Sequence, residues 1–426
     1  MRSAGLSPDG TLRDAGAPNT RTHADHDPAG LRPTVPGDGR GAVRPGLARL
    51  GGVVPPAGRA QPLAGPVPGG GLGAPGAGRA DGRTVGPPGG SQLADRPGAG
   101  APIGARIEPA FDIAVAPGGY AWWYLDALSD DGEHGLTIIA FIGSVFSPYY
   151  AHARRRSAAG GADPLNHCAM NIALYGRGGN RWAMTERGRG QLQRDDRTLQ
   201  IGPSAMRWVG DALHIEIDEI AVPWPTRIRG SVTLHAPRRF HHPVELAPQH
   251  RWCPIAPAAR VDVDLGALNW SGPGYLDSNQ GDAPLESAFR RWDWSRAQLS
   301  GGRSVVLYDV ERVDASPLQL GLCFDASGGV HDIQPPPRTA LPTTLWRLAR
   351  GARGDVHTPV RLMRTLTDAP FYARSLVNAQ WLGERVTAMH ESLSLARFDT
   401  VWVQAMLPFR MPRLTNNRRA GAGPDV

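Results

Sequence analysis

No lysine occurs anywhere in this sequence; all 46 positions counted as Lys plus Arg are arginine. The arginines are also not gathered into the basic stripe that nucleic-acid recognition needs, since the one dense run is Arg154-Arg155-Arg156. Residues 1–104 hold 11 Arg and 7 Asp and so supply +4 of the formal +7, which leaves the rest of the chain close to neutral. These 104 residues also lack Phe, Trp and Tyr entirely. The first aromatic is Phe111, and all 12 Trp lie at or beyond Trp122. A stretch of Pro, Gly, Ala and Arg cannot bury enough apolar area to offset chain entropy, so 1–104 is expected to be disordered. Translated GC-rich sequence upstream of the true start would have the same composition.

Cysteine is scarce. Cys168, Cys253 and Cys323 are far apart and odd in number, with neither disulfide nor zinc spacing, which fits a reducing compartment. The start, MRSAGLSPDG, has no apolar core of a secretory signal. The longest apolar stretch, around 136–145, is too short to span a bilayer, so a soluble or peripheral protein is expected.

What is present from about residue 105 onward is punctuation: Gly, Pro and Asp clusters separating short β-rich runs. These are Leu136–Phe141, Asn171–Tyr175, Leu213–Ile217, Ile228–Leu234, Arg260–Asp264, Ser304–Asp309, Leu318–Phe324 and Leu362–Leu366. In the run LHIEI, Leu213, Ile215 and Ile217 alternate with His214 and Glu216, the period of a half-buried strand. The expected class is all-β, a barrel or sandwich, with a helix at Pro284–Arg291 and few others. Domains are expected at 105–282 and 283–412, with WDWSRAQLSGGRSVVLYDV opening the second as a fresh hairpin and 413–426 a frayed tail.

Chemistry concentrates in two motifs, His250-Arg251-Trp252-Cys253-Pro254 and Gly274-Tyr275-Leu276-Asp277-Ser278-Asn279. An aspartate among glycine and asparagine is ordinarily a turn former. Here, however, Tyr275 lies two residues from Asp277 and shares its side of an extended segment, as Trp252 shares a side with His250. In Trp122-Trp123-Tyr124 one tryptophan could line a cavity while the other packs in a core; Trp182, Trp208, Trp346 and Trp402 read mostly as core. His167 and the set His241, His242, His250 find no carboxylate or cysteine that completes a metal site. No serine sits in a G-x-S-x-G elbow, and no glycine-rich stretch has a Walker or dinucleotide pattern.

Several blocks together resemble one family. GGYAWWYLDALSDDGEHGLTIIAFIGSVFSPYYA at 118–151, DPLNHCAMNIALYG at 163–176, RWAMTERG at 181–188, HRWCPIAP and GPGYLDSNQGD are similar to the acyclic carotenoid 1,2-hydratases of purple phototrophic bacteria, also called hydroxyneurosporene synthases. The similarity spans roughly 110–412. Relatives with the same overall pattern usually show Y-x-D-H-N-W-G where this chain has Tyr275-Leu276-Asp277-Ser278-Asn279-Gln280-Gly281. The resemblance implies two lipocalin-like β-domains and a hydro-lyase that needs no cofactor or metal. It implies as partners water and an acyclic carotenoid of the neurosporene or lycopene type, hydrated at the terminal C1–C2 double bond. It also implies peripheral contact with the cytoplasmic side of the intracytoplasmic membrane. The functional positions it carries over are His250, Trp252, Tyr275 and Asp277.

Hydration of such an alkene begins with a proton on C2, and the C1 cation is then captured by water. Free Asp has a pKa of about 3.9, and burial can raise it by roughly 3–5 units. Asp277 is therefore expected as general acid, with Trp252 and Tyr275 stabilising the cation through their π faces. His250 would position or deprotonate the water; alternatively, Tyr275 donates a hydrogen bond that keeps Asp277 neutral. Two rival readings remain open here: a cofactor-free isomerase or cyclase, which captures no water, and a carotenoid carrier, which has no use for the acid. For membrane contact, the segment Phe146–Tyr150 beside Arg154–Arg156 is the candidate.

Overall fold

Twelve strands follow one another from Tyr120 to Gly281 before the chain leaves its larger sheet. The computed structural model describes residues 110–157, 161–177 and 179–414; the expected disorder of 1–104 lies outside the described residues, as does most of the expected tail. The strands β1 (Tyr120–Leu128), β2 (His134–Ile142), β3 (Cys168–Gly176) and β4 (Arg181–Arg187) form a meander. A second is made by β5 (Leu192–Arg194), β6 (Thr198–Ile201), β7 (Ser204–Val209), β8 (Ala212–Ile220) and β9 (Arg227–His235). Between them lie β11 (His250–Asp264), edged by β10 (Val244–Ala247), and β12 (Asn269–Gly281), which pairs with β1.

The smaller sheet has the order β16-β15-β14-β13-β21-β20-β19. Its strands are β13 (Phe289–Gln298), β14 (Ser304–Arg312), β15 (Pro317–Phe324), β16 (Val330–Asp332), β19 (Arg361–Asp368), β20 (Tyr372–Trp381) and β21 (Glu384–Ser394). The hairpin of β17 (Arg338–Leu341) and β18 (Arg350–Arg353) stands apart. A last short strand, β22 (Arg413–Leu414), returns to the larger sheet and lies parallel to β4. The fold is all-β with neither sheet closed, and every one of the eight runs read as strands falls within one. The expected hairpin after residue 290 is β13–β14.

Alternation explains the architecture. In β8 the apolar Leu213, Ile215 and Ile217 are buried between exposed His214 and Glu216. In β1 both faces are apolar, so the strand is buried throughout. Ala121, Trp123, Leu125 and Ala127 enter an aliphatic core inside the larger sheet. Tyr120, Trp122 and Tyr124 enter a second core, rich in aromatics, shared with Trp292, Trp294 and Tyr308 of the smaller sheet. The adjacent tryptophans thus divide the labour, Trp123 packing edge-to-face on Phe111 while Trp122 faces the inter-sheet space.

Three expectations need correction. The helix at Pro284–Arg291 shrinks to α2 (Leu285–Ala288), because Phe289 already begins β13, which is laddered on both sides. Two longer helices, α1 (Pro148–Arg156) and α4 (Val401–Arg410), the latter following the short α3 (Leu395–Phe398), have no counterpart in the sequence reading. The segment Phe146–Tyr150 is not an exposed apolar loop. Phe146 packs on Phe371 and Phe398 with ring centroids 5.6 and 5.7 Å away, and Tyr150 is fully buried with its hydroxyl donating to the Gly119 carbonyl at 2.7 Å.

The close approach of β12 to the end of β1 leaves no room for a side chain at Gly272, where an added Cβ would lie 1.8 Å from the Leu128 carbonyl oxygen. Gly272→Ala is expected to cost about 3 kcal/mol, the upper range for overpacking. Urea unfolding measures it, and an unchanged midpoint would show that the strand end yields freely.

Candidate active site

Asp277 sits in the middle of β12, paired across to Tyr124 on β1 and to Pro254 on β11. Pairing on β11 shifts register just after Pro254 and again before Ala259, where prolines lack the ladder N–H. Strand alternation puts Tyr275, Asp277 and Asn279 on the aromatic side of the sheet and Leu276 on the aliphatic side. Trp252 stands diagonally across the ladder, opposite Asn279, within reach of the acid.

The carboxyl is 4% exposed, and its two oxygens have different surroundings. Oδ2 accepts from Trp252 Nε1 and from the Tyr275 hydroxyl, both at 2.7 Å. Oδ1 is buried and has no hydrogen-bond partner among the described residues. Among the described residues, no arginine or histidine forms an ion pair with it. Burial pushes the carboxyl up to about 8, while the hydrogen bonds from Trp252 and Tyr275 pull the other way and Glu391 and Asp126 add to the rise. The Tyr275 hydroxyl therefore does not keep Asp277 neutral; it favours the anion, and desolvation supplies the neutrality.

Asp277 borders a small compartment of about 40 Å³ with Trp122, Tyr124, Trp252, Asn279, Trp292, Trp294, Tyr308 and Glu391. Trp294 Nε1 is a second buried group on that wall without a partner. Trp122, Tyr124, Trp292 and Glu391 also line a larger cleft of about 260 Å³. Phe141, Phe146, Trp182, Phe371, Leu393 and Met411 make this cleft mainly apolar, and Trp346, Met406 and Arg410 stand toward its outer end.

Two further carboxylates flank the acid, Asp126 buried and Glu391 half-buried, and each has a cation. Asp126 pairs with Arg296. Glu391 accepts from Arg374 Nη2 at 2.5 Å and Nε at 2.9 Å, and from the Tyr124 hydroxyl at 2.7 Å. Arg374 also donates to the Tyr175 hydroxyl at 2.6 Å. Removing either arginine would strand a buried charge.

The structure brings Trp252, Tyr275 and Asp277 into direct contact. His250 is two rungs from Trp252 on β11, its Nδ1 2.9 Å from the Tyr120 hydroxyl and its ring against Phe289, and it lines neither cavity. Burial lowers its pKa to about 4, so the ring is neutral at pH 7. Tyr120 in turn stacks on Trp122 at 4.9 Å. His167 serves elsewhere, with Nδ1 2.8 Å from Glu186, which Arg413 of β22 also pairs with. Trp346 and Trp402, read as core, are instead 41% and 45% exposed and stacked on each other.

The carotenoid hydratase CrtC family model matches residues 138–420. An acyclic carotenoid 1,2-hydratase of Thiocapsa roseopersicina is 51% identical over 421 residues, covering 97% of this chain and 100% of that protein. An acyclic carotenoid 1,2-hydratase of Rubrivivax gelatinosus is 48% identical over 417 residues, with 97% and 100% covered. Among solved structures, an AttH candidate from Nitrosomonas europaea aligns with a TM-score of 0.47 at 14% identity, over 68% of this chain and 95% of that one.

Since both donors to Oδ2 favour the anion, removing either should raise the carboxyl above its value of about 8. In Tyr275→Phe and in Trp252→Phe, the infrared carbonyl stretch of the Asp277 acid should persist to higher pH than in the unaltered protein. A titration that does not move would show the two hydrogen bonds to be electrostatically idle.

Proposed function

The chain belongs to the carotenoid hydratase family, and we propose that in it Asp277 is the acid that protonates the substrate. The reaction is the addition of water across the terminal C1–C2 double bond of an acyclic carotenoid. Neurosporene and lycopene are the substrate types proposed. The observation that supports Asp277 is its uncompensated burial: a carboxyl with a pKa of about 8 and one oxygen unpartnered at an aromatic compartment.

In the proposed sequence the cleft holds the apolar chain and its terminal double bond reaches Asp277. The Oδ1 proton passes to C2, the alkene π pair becomes the C2–H bond, and C1 becomes a tertiary cation. The new carboxylate keeps the Trp252 and Tyr275 hydrogen bonds on Oδ2, which favour that charged form. The π faces of Trp252, Trp292, Trp294 and Tyr308 stabilise the cation, each by about 2 kcal/mol when desolvated. Water then forms the C1–O bond and returns a proton to Asp277, restoring the acid and leaving a tertiary alcohol.

The small compartment has the size for one water, and a buried water needs polar partners. Trp294 Nε1 and Glu391 are the groups we assign to it, with Asp277 itself. We assign His250 a supporting part, holding Tyr120 and through it the Trp122 wall. No described helix is long and apolar enough to cross a membrane. Because the substrate is a hydrocarbon dissolved in lipid, we propose that the chain works peripherally, at the cytoplasmic face of the membrane.

Asp277→Asn should lose hydration by roughly 10²–10⁴-fold or more while still taking up carotenoid. The reading is a lycopene incubation in detergent, with the product heavier by one water; near-normal yield from the variant would remove Asp277 from the chemistry. The active form is the protonated one, so turnover of the unaltered protein should be flat below about pH 8 and fall above it. A rate that rises through that pH would mean that the carboxylate acts as base instead.

A further inference from the structure

α4 is apolar on both faces, although it lies on the surface. Its sequence is VWVQAMLPFR, with Arg410 as its one charge. Val403 and Leu407 face inward, while Val401, Trp402, Met406 and Phe409 are exposed at positions i, i+1, i+5 and i+8. A helix that is apolar all round belongs in a core or in lipid. Phe409 is 81% exposed and Val401 85%. Leu345, 95% exposed, extends the patch, and its neighbour Trp346 stacks on Trp402 with ring centroids 6.1 Å apart. Contiguous exposed apolar area of this kind marks an interaction surface.

We propose that this face, α4 together with Leu345 and Trp346, docks the protein on an anionic bilayer with its apolar residues in the acyl boundary. Two observations favour lipid over another partner. The patch is continuous with the mouth of the substrate cleft, since Trp346, Met406 and Arg410 line the cleft and stand in the patch. Charge at its border is mainly positive. Arg347 and Arg410 are exposed beside it, and α1, which packs against α4, adds exposed Arg155 and Arg156; Asp399 is the exposed acidic residue at the start of α4. Basic groups around an inserted apolar stripe are the arrangement of interfacial helices. A carotenoid could then pass from the leaflet into the cleft without crossing water. This rests on the hydratase reading for the identity of the cargo, though not for the binding itself.

The test uses the full chain and a variant with Leu345→Ser, Val401→Ser and Phe409→Ser, none of which lines the cleft. Flotation with phosphatidylglycerol-containing vesicles is compared with flotation on phosphatidylcholine alone. The unaltered protein should float with the anionic vesicles, and the variant should lose about tenfold or more of that binding. Turnover of carotenoid carried in vesicles should fall with it, while turnover of carotenoid in detergent stays within about twofold. Arg155→Glu with Arg156→Glu should weaken the preference for anionic lipid. The proposal fails if the triple variant floats like the unaltered protein. It also fails if the unaltered protein does not float, or if the variant's change is loss of a dimer in light scattering with flotation intact. Absence of turnover in detergent by the unaltered protein would instead sink the hydratase mechanism and leave the flotation result standing.

Discussion

A carboxyl group buried without a cation is the constraint on which this site depends. Three carboxyls, the buried Asp126 and Asp277 and the half-buried Glu391, lie against the aromatic core between two sheets. Two are matched by guanidinium groups, Asp126 by Arg296 and Glu391 by Arg374. The third is left to desolvation, and its neighbours' negative charge adds to the effect. The fold thus separates the roles of chemically similar groups by choice of partner alone. Neutralising all three by arginine would leave no proton to donate, and neutralising none would place several charges in low dielectric.

Strand register is what delivers this arrangement. β1 and β12 are walls with a core on each side, and period-two alternation decides which side chain enters which. Tyr124 lies across from Asp277, and Asp126 from Tyr275, so the acid, its hydrogen-bond donor and the neighbouring carboxylate fall on one face together. A slip of one residue would carry Asp277 into the aliphatic core beside Trp123 and turn Leu276 toward the aromatic face. The packed tryptophan on the far face, Trp123 against Phe111, therefore helps to hold the catalytic face in place.

Much of this was legible in the residues. The runs with clean alternation are strands, and the i, i+2 relation of Tyr275 to Asp277 is realised as a hydrogen bond. What escaped came from distant chain segments or lacked a period. Glu391 and Arg374 lie 114 and 97 residues from Asp277 in unremarkable strand sequence, so only the ladder of β13, β21 and β20 brings them near. Trp292 and Trp294 fall in a run that the sequence marks only as a hairpin. α4 has no 3.6-residue contrast because apolar residues occupy both its faces, and Pro408 reads as a break. Phe146 shows the opposite case: composition suggests a surface loop, whereas its ring packs against Phe371 and Phe398, which also touch each other.

The same surroundings also set how strong the acid can be. Each unit of pKa is worth about 1.4 kcal/mol between the two protonation states. Burial alone would give an acid always protonated at neutral pH but reluctant to release its proton to an alkene. The two hydrogen bonds on Oδ2 act in the other direction, and Oδ1 takes part in neither. In the proposed protonation they would make the anion tolerable at the moment it forms while leaving Oδ1 free to give up the proton. The walls of the compartment beside Asp277 are mostly indole and phenol rings, which would attract the proposed cation through their quadrupoles without forming a bond to it. Two nearby phenols are bonded to carboxyl groups, Tyr275 to Asp277 and Tyr124 to Asp126 and Glu391, so neither hydroxyl is free to compete with water for the proposed cation.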